Sequence, residues 1–191
     1  ARYDLLVWLM TLGRERKFRE RLLAPARLQP GESVLDVGCG TGTLAIAATR
    51  QVGIAGSVHG VDPSAEMIAR ARAKAKRRHA SVTFETGVAE ALPFPDASFD
   101  VVLSTVMLHH LPGKTREQGV GEMRRVLRPG GRLVAVDFAP GTRHGLVTLI
   151  HGHGHVDASA MERLIAAAGL GVAESGAIGA WGLCYVVGVA R

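Results

Sequence analysis

The stretch that most constrains this chain is Val34-Leu35-Asp36-Val37-Gly38-Cys39-Gly40-Thr41-Gly42-Thr43-Leu44. Three apolar residues around one acid read as a short buried strand, and Leu44-Ala45-Ile46-Ala47-Ala48 reads as the apolar start of a helix. Between them glycine stands at 38, 40 and 42. Glycine reaches backbone conformations closed to other residues and leaves no side chain between backbone and ligand. The helix start turns unpaired N–H groups into the same space. Strand, glycine turn and helix in this order predict the first crossover of a parallel α/β sheet, and the turn predicts a nucleotide-cofactor site.

The dinucleotide fingerprint Gly-x-Gly-x-x-Gly wants its third glycine at 43, where this chain has Thr; the glycine comes one residue early, at 42. Asp36 also precedes the turn, where a dinucleotide site usually has an apolar residue, and a carboxylate there repels a pyrophosphate in a desolvated site. A ligand with an ammonium and a sulfonium tolerates it. The pattern Leu35-Asp36-x-Gly38-x-Gly40-x-Gly42 resembles the first motif of class I S-adenosylmethionine-dependent methyltransferases. Within that family the chain is most similar to the small-molecule group that includes ubiquinone and menaquinone biosynthesis enzymes. The resemblance implies a Rossmann-like α/β fold: a seven-stranded, mostly parallel sheet with an antiparallel final strand and helices on both faces. It also implies S-adenosylmethionine as cofactor, with Asp36, Gly38, Cys39, Gly40 and Gly42 around its methionine portion.

A chain of 191 residues, 47% of them hydrophobic, suits one domain with a sizeable core. No apolar run reaches the roughly 18 to 20 residues of a membrane span. Leu5–Leu12 is too short for a secretory signal, lacks a small-residue cleavage site and runs into Arg14-Glu15-Arg16-Lys17. Two cysteines, Cys39 and Cys184, are too few for a disulfide framework, so the cytoplasm is the expected compartment. The net charge of +6 comes largely from residues 14–21 and 70–78. Both runs share a helix with apolar residues and have almost no aromatic interleaving, which reads as solvated helix faces; RNA is the alternative partner.

Residues 1–29 are expected to form a helical segment covering the cofactor site, ahead of an S-adenosylmethionine-binding methyltransferase domain over 30–191. Gly13 separates two amphipathic stretches, and by the resemblance Tyr3 in the first is a candidate cofactor contact. A second strand, 57–61, ends at Asp62-Pro63-Ser64. Asp62 stands 22 residues after Gly40, close to the roughly 20 expected of a ribose-binding carboxylate; a helix N-cap is the other reading. Pro63 adjoins that acid, and Met67, one turn on, resembles the family's apolar adenine contact. Gly87-Val88-Ala89-Glu90 resembles the adenine-binding loop, where the family's usual Asp is here Val88; the Ala89 N–H can still meet a ring nitrogen.

The fourth strand, 98–104, is near-continuously apolar, as a central parallel strand should be. By the resemblance its Ser104 lines the methyl-side pocket. His109 and His110 follow at the strand's C-terminal end, where ligands of open α/β sheets bind. Either is a candidate base, and packing within the loop is the plainer role for one of them. A helix over 117–127 leads to Leu127-Arg128-Pro129-Gly130-Gly131, a family signature before a fifth strand. His144 and the alternating His151, His153 and His155 are read as a substrate-lining or incidental loop; no acid or cysteine is spaced to complete a metal site, and no metal is expected. Ser159-x-x-Glu162 reads as a capping box, and two closing strands as an antiparallel pair. The implied reaction is in-line methyl transfer to a small-molecule acceptor. An RNA methyltransferase and a non-catalytic cofactor-binding protein are the alternatives.

Overall fold

The computed structural model describes residues 15–139, 157–179 and 182–191. Tyr3, Gly13, His144 and His151–His155 lie outside the described residues. The elements run α1 (Glu15–Leu23), β1 (Ser33–Val37), α2 (Thr43–Val52), β2 (Ser57–Asp62), α3 (Ala65–Arg77), β3 (Thr83–Thr86) and β4 (Phe99–Thr105). They continue with α4 (Gly113–Val126), β5 (Leu127–Phe138), α5 (Ala158–Ala167), β6 (Leu170–Ile178) and β7 (Leu183–Ala190). The seven strands form one sheet in the order β3-β2-β1-β4-β5-β7-β6. β7 runs opposite to the other six strands and pairs antiparallel with both β5 and β6. This is the Rossmann-like architecture that the family resemblance implied.

Burial explains the layers. Val34, Leu35 and Val37 of β1 are each at most 1% exposed, because helices cover both faces of a central parallel strand. One apolar layer joins α1, α2 and α3 to the sheet through Leu22, Ile46, Ile68 and their neighbours. The opposite layer holds α4 and α5 through Val120, Met123, Met161 and Ile165. The order reverses between β1 and β4, and that switch point opens at the strands' C-terminal ends.

Three local expectations need correction. Helix α4 begins at Gly113 rather than 117, because Pro112 caps it and its carbonyl accepts from Arg116 N–H at 2.8 Å. Helix α5 is capped by Asp157, whose carboxylate accepts from Ala160 N–H at 2.6 Å; Ser159 is already inside the helix. The Arg128–Gly131 stretch is part of β5, bulging so that the register jumps from Phe99↔Leu127 to Val101↔Arg132. Gly130, at φ 77°, makes that bulge possible.

The link from α1 to β1 is tied down. The Arg132 guanidinium on β5 donates to the Ala26 carbonyl at 2.5 Å and to both Glu32 oxygens at 2.8 and 2.9 Å. A bidentate pair of this kind fixes orientation as well as position. Helix α1 is thereby held against α2, beside the switch point.

Candidate cofactor site

A cavity of about 580 Å³ opens at the C-terminal ends of β1, β2 and β4. Its floor is the turn after β1. Gly38 and Cys39 both donate their N–H to the Val61 carbonyl, at 2.8 and 3.0 Å, which pins the turn to β2. Gly38 has φ 74°, and a Cβ there would overlap Met107 Cγ; only glycine lets the loop after β4 close over the turn.

Two carboxylates face this floor. Asp62 accepts from Gly40 N–H at 2.8 Å through one oxygen and from Ser64 N–H at 2.9 Å through the other. Each oxygen keeps a lone pair, so the pair can still accept from two vicinal hydroxyls. The α3 cap is Ser64, whose Oγ accepts from Met67 N–H at 3.3 Å, so Asp62 is not the cap. Asp36 is 2% exposed, and its Oδ2 is buried with no hydrogen-bond partner. Burial raises its pKa to about 7; a hydrogen bond from the Ala45 backbone opposes the rise and the charge of Asp62 adds to it. An orphaned acid oxygen at a cavity wall costs stability unless something cationic meets it.

Asp36, Gly38, Cys39, Gly40 and Asp62 all line the cavity, with Pro63 and Met67 behind Asp62 and Val88 and Ala89 on the facing loop. Val88 is 40% exposed, an apolar side chain bare at the rim. Its loop is clamped from α4. Glu122 accepts from Leu92 N–H at 2.9 Å, and Arg125 donates to the Leu92 and Phe94 carbonyls and to Asp96. The Arg125 hydrogen bond and its charge hold the Glu122 carboxyl below its usual range. The Cys39 thiol is pushed far up, by burial first and then by Asp36 and Asp62, which rules it out as a nucleophile at neutral pH.

Gly42 and Ser104 lie outside the cavity lining. Gly42 does not line the cavity; a Cβ there would come within 2.5 Å of Phe84 Cζ and 2.8 Å of Ala71 Cβ, so it is the close-packing glycine between α2 and α3. Ser104 is 0% exposed within the sheet, and the next residue, Thr105, is the one at the wall. The two histidines separate. His109 is buried against Asp137, with Nδ1 at 2.7 Å from Oδ1 and its backbone N–H donating to Oδ2 at 3.1 Å. His110, its ring tilted 45° to that of His109 with centroids 3.8 Å apart, is exposed and lines the cavity.

Sequence reasoning missed several wall residues. Phe18, Arg19 and Leu22 come from α1, and Phe18 and Leu22 share the i,i+4 spacing that marks an inward helix face. Val106 sits at φ 55°, rare for a β-branched residue, held by its N–H to the Val136 carbonyl at 2.8 Å. Thr41 and Thr43 also line the cavity, and Lys74 reaches back from α3 to their hydroxyls at 2.6 and 2.7 Å. Its place in a basic run hid that role.

Switch-point cavity, glycine turn and strand-end acid together define a nucleotide-cofactor domain of the Rossmann-like kind, and the acid beneath the turn sets it apart from dinucleotide sites. A methyltransferase domain family matches residues 34–131, and the chain belongs to it. A demethylmenaquinone methyltransferase of Deinococcus radiodurans is 43% identical over 142 residues, covering 73% of this chain and 56% of that protein. A ubiquinone/menaquinone biosynthesis C-methyltransferase of Geobacter sulfurreducens is 39% identical over 140 residues, covering 72% and 54%. The chain therefore spans about half the length of these relatives. In fold it is similar to a SAM-dependent methyltransferase from Aquifex aeolicus, with TM-score 0.76, 22% identity, and 91% and 89% of the two chains covered.

Proposed function

We propose that this chain is the cofactor-binding part of an S-adenosylmethionine-dependent methyltransferase acting on a small-molecule acceptor. The observation that carries the reading is the unpartnered Asp36 oxygen buried at the cavity wall beside the glycine turn. The cofactor's ammonium suits that oxygen, where a pyrophosphate would be repelled. Asp62 would accept from the ribose hydroxyls, and Met67, Val88 and Ala89 would enclose the adenine. The turn at Gly38, Cys39 and Gly40 would carry the methionine portion. The names of the relatives favour a quinone-type ring as acceptor and carbon as the attacking atom.

When bound, the cofactor supplies an already activated methyl group. The chain's own task is then mainly to align the acceptor with that methyl and to keep water out. Thr105, Met107 and Leu111 supply the wall beyond the turn. His110, rather than His109, is the histidine able to reach an acceptor, since His109 is 5% exposed and committed to Asp137. Residues 1–29 would act as the cover of the site, a reading supported by α1's contribution of Phe18, Arg19 and Leu22. We place the enzyme in the cytoplasm; among the described residues no helix is long and apolar enough to cross a membrane.

The deciding experiment is calorimetric titration with S-adenosylmethionine, S-adenosylhomocysteine and NADH, on the protein and on Asp62→Ala. The expected result is binding of the two sulfur ligands alone, weakened at least tenfold in the variant. Binding of NADH instead overturns the reading. Methyl transfer to a short-chain demethylmenaquinol then tests the acceptor class.

A further inference from the structure

The chain over 106–111, which leaves the C-terminal end of β4, bends back over the glycine turn at Met107. A Cβ on Gly38 would overlap Met107 Cγ and lie 3.0 Å from Met107 Cβ, so the two residues are in direct apposition. We propose that Met107 limits the size of the alkyl group on sulfur that the cofactor site admits, an inference that rests on the functional reading above. The place of the sulfur follows from the groups on either side of it. Asp62, the ribose acid, accepts from Gly40 N–H at 2.8 Å, so the ribose end of the ligand reaches the turn. Asp36, the partner of the ammonium, stands two residues before Gly38 and lines the same cavity. The sulfur joins the ribose to the amino-acid tail and therefore crosses the turn between these two acids. Met107 is the side chain set against Gly38, so a substituent leaving the sulfur toward Thr105, His110 and Leu111 passes it.

A size limit needs a wall that does not yield, and this one is held at the backbone. Val106 stands at φ 55°, in the left-handed region that a β-branched side chain disfavours, and its N–H donates to the Val136 carbonyl at 2.8 Å. Strain of this sort persists where the surroundings over-determine it, and here it aims the residue that follows. The Met107 carbonyl accepts from His110 N–H at 3.0 Å. Further on, His109 N–H donates to Asp137 at 3.1 Å, and Arg116 donates to the Leu108 and Leu111 carbonyls, both at 2.8 Å. A methionine thioether adapts to its surroundings, but the atoms nearest Gly38 are Cβ and Cγ, the near end of the side chain. Turning the thioether about its outer bonds leaves those two atoms in place. Close-packed contacts of this kind resist an added methylene.

The test uses three ligands that differ only at sulfur: S-adenosylhomocysteine has no alkyl group there, S-adenosylmethionine a methyl and S-adenosylethionine an ethyl. Each is titrated calorimetrically into the protein, Met107→Ala and Met107→Leu at one pH and ionic strength. The unmodified protein should bind the methyl ligand at least about tenfold more tightly than the ethyl ligand, since one methylene against a packed wall is worth about ten- to two-hundredfold. Met107→Ala should bring those two within about threefold while S-adenosylhomocysteine stays within about twofold of its original affinity, and Met107→Leu should keep the discrimination. Equal binding of the methyl and ethyl ligands by the unmodified protein overturns the proposal, and so does a preference that survives in Met107→Ala. A parallel loss of all three ligands in Met107→Ala also overturns it, marking Met107 as a residue that packs the turn. No binding of any of the three by the unmodified protein overturns the functional reading itself, and this inference with it.

Discussion

Replacing Asp36 by Asn should make the ligand-free protein more stable and the cofactor-binding protein worse. Burial raises the Asp36 pKa from 3.8 to about 7, so the folded state holds a proton that the unfolded chain has released. A group that binds more protons folded than unfolded loses stability as pH rises through that window. At about 1.36 kcal/mol per unit, roughly three units correspond to about 4 kcal/mol lost between pH 4 and pH 8. The Asn amide does not titrate, and it can keep the hydrogen bond from the Ala45 backbone. Its NH₂ would meet the same partnerless space as Oδ2, at a cost of about 1–2 kcal/mol. The variant should therefore exceed the parent by about 2–3 kcal/mol at pH 8, a rise of roughly 5–10 °C in melting temperature. Paired denaturant titrations at pH 5 and pH 8 isolate the effect, because carboxylates distant from Asp36 cancel in the difference. Between those pH values the advantage should grow by about 2–3 kcal/mol. A difference that does not change with pH would refute the assignment of a buried, neutral Asp36. Calorimetry on the same variant should give weaker S-adenosylhomocysteine binding, since the amide has no charge to meet the ammonium.

Other positions give independent tests. Gly42→Ala adds a methyl within 2.5 Å of the Phe84 ring at φ 71°, and should cost about 3 kcal/mol or more in urea unfolding through overpacking and backbone strain. Gly121→Ala meets nothing within 4 Å inside α4 and should add about 0.5–1 kcal/mol; Gly119→Ala should gain less, because its Cβ would lie 3.3 Å from Ala89 Cβ. Arg125→Ala frees the Leu92 and Phe94 carbonyls and Asp96, and should speed amide exchange across residues 91–97 while weakening S-adenosylhomocysteine several-fold. Val88→Asp restores an acceptor for the adenine amine and should tighten that ligand on the order of 1 kcal/mol; unchanged or weaker affinity would remove that account of Val88.

The sequence exposed those parts of the site whose chemistry is local. The turn from Gly38 to Gly42 and the spacing to Asp62 are written within a few dozen residues, because one βαβ unit builds them and its backbone demands are specific to residue type. Strands 33–37 and 99–105 were legible for a similar reason, since burial on both faces leaves a mostly apolar run, broken in each by one acid, Asp36 or Asp100. What sequence could not apportion was the face on which a residue falls. Gly42 belongs to the same glycine series as Gly38, yet one packs two helices together and the other admits Met107 over the turn. Ser104 and Thr105 are adjacent polar residues of β4, and the strand's alternation puts only the second at the wall. His109 and His110 divide likewise, and the partner that decides between them, Asp137, lies 28 residues away on β5.

Arg19 carries the same lesson furthest. In sequence it is one of many cations in a basic stretch, and the solvated-face reading of that stretch is sound for Arg16 and Lys17, which are exposed. Only the docking of α1 on α2, with Arg132 fixing the connection from another strand, turns one of those cations into a wall of the cavity. An excess of positive charge can therefore conceal a single residue that lines the cavity.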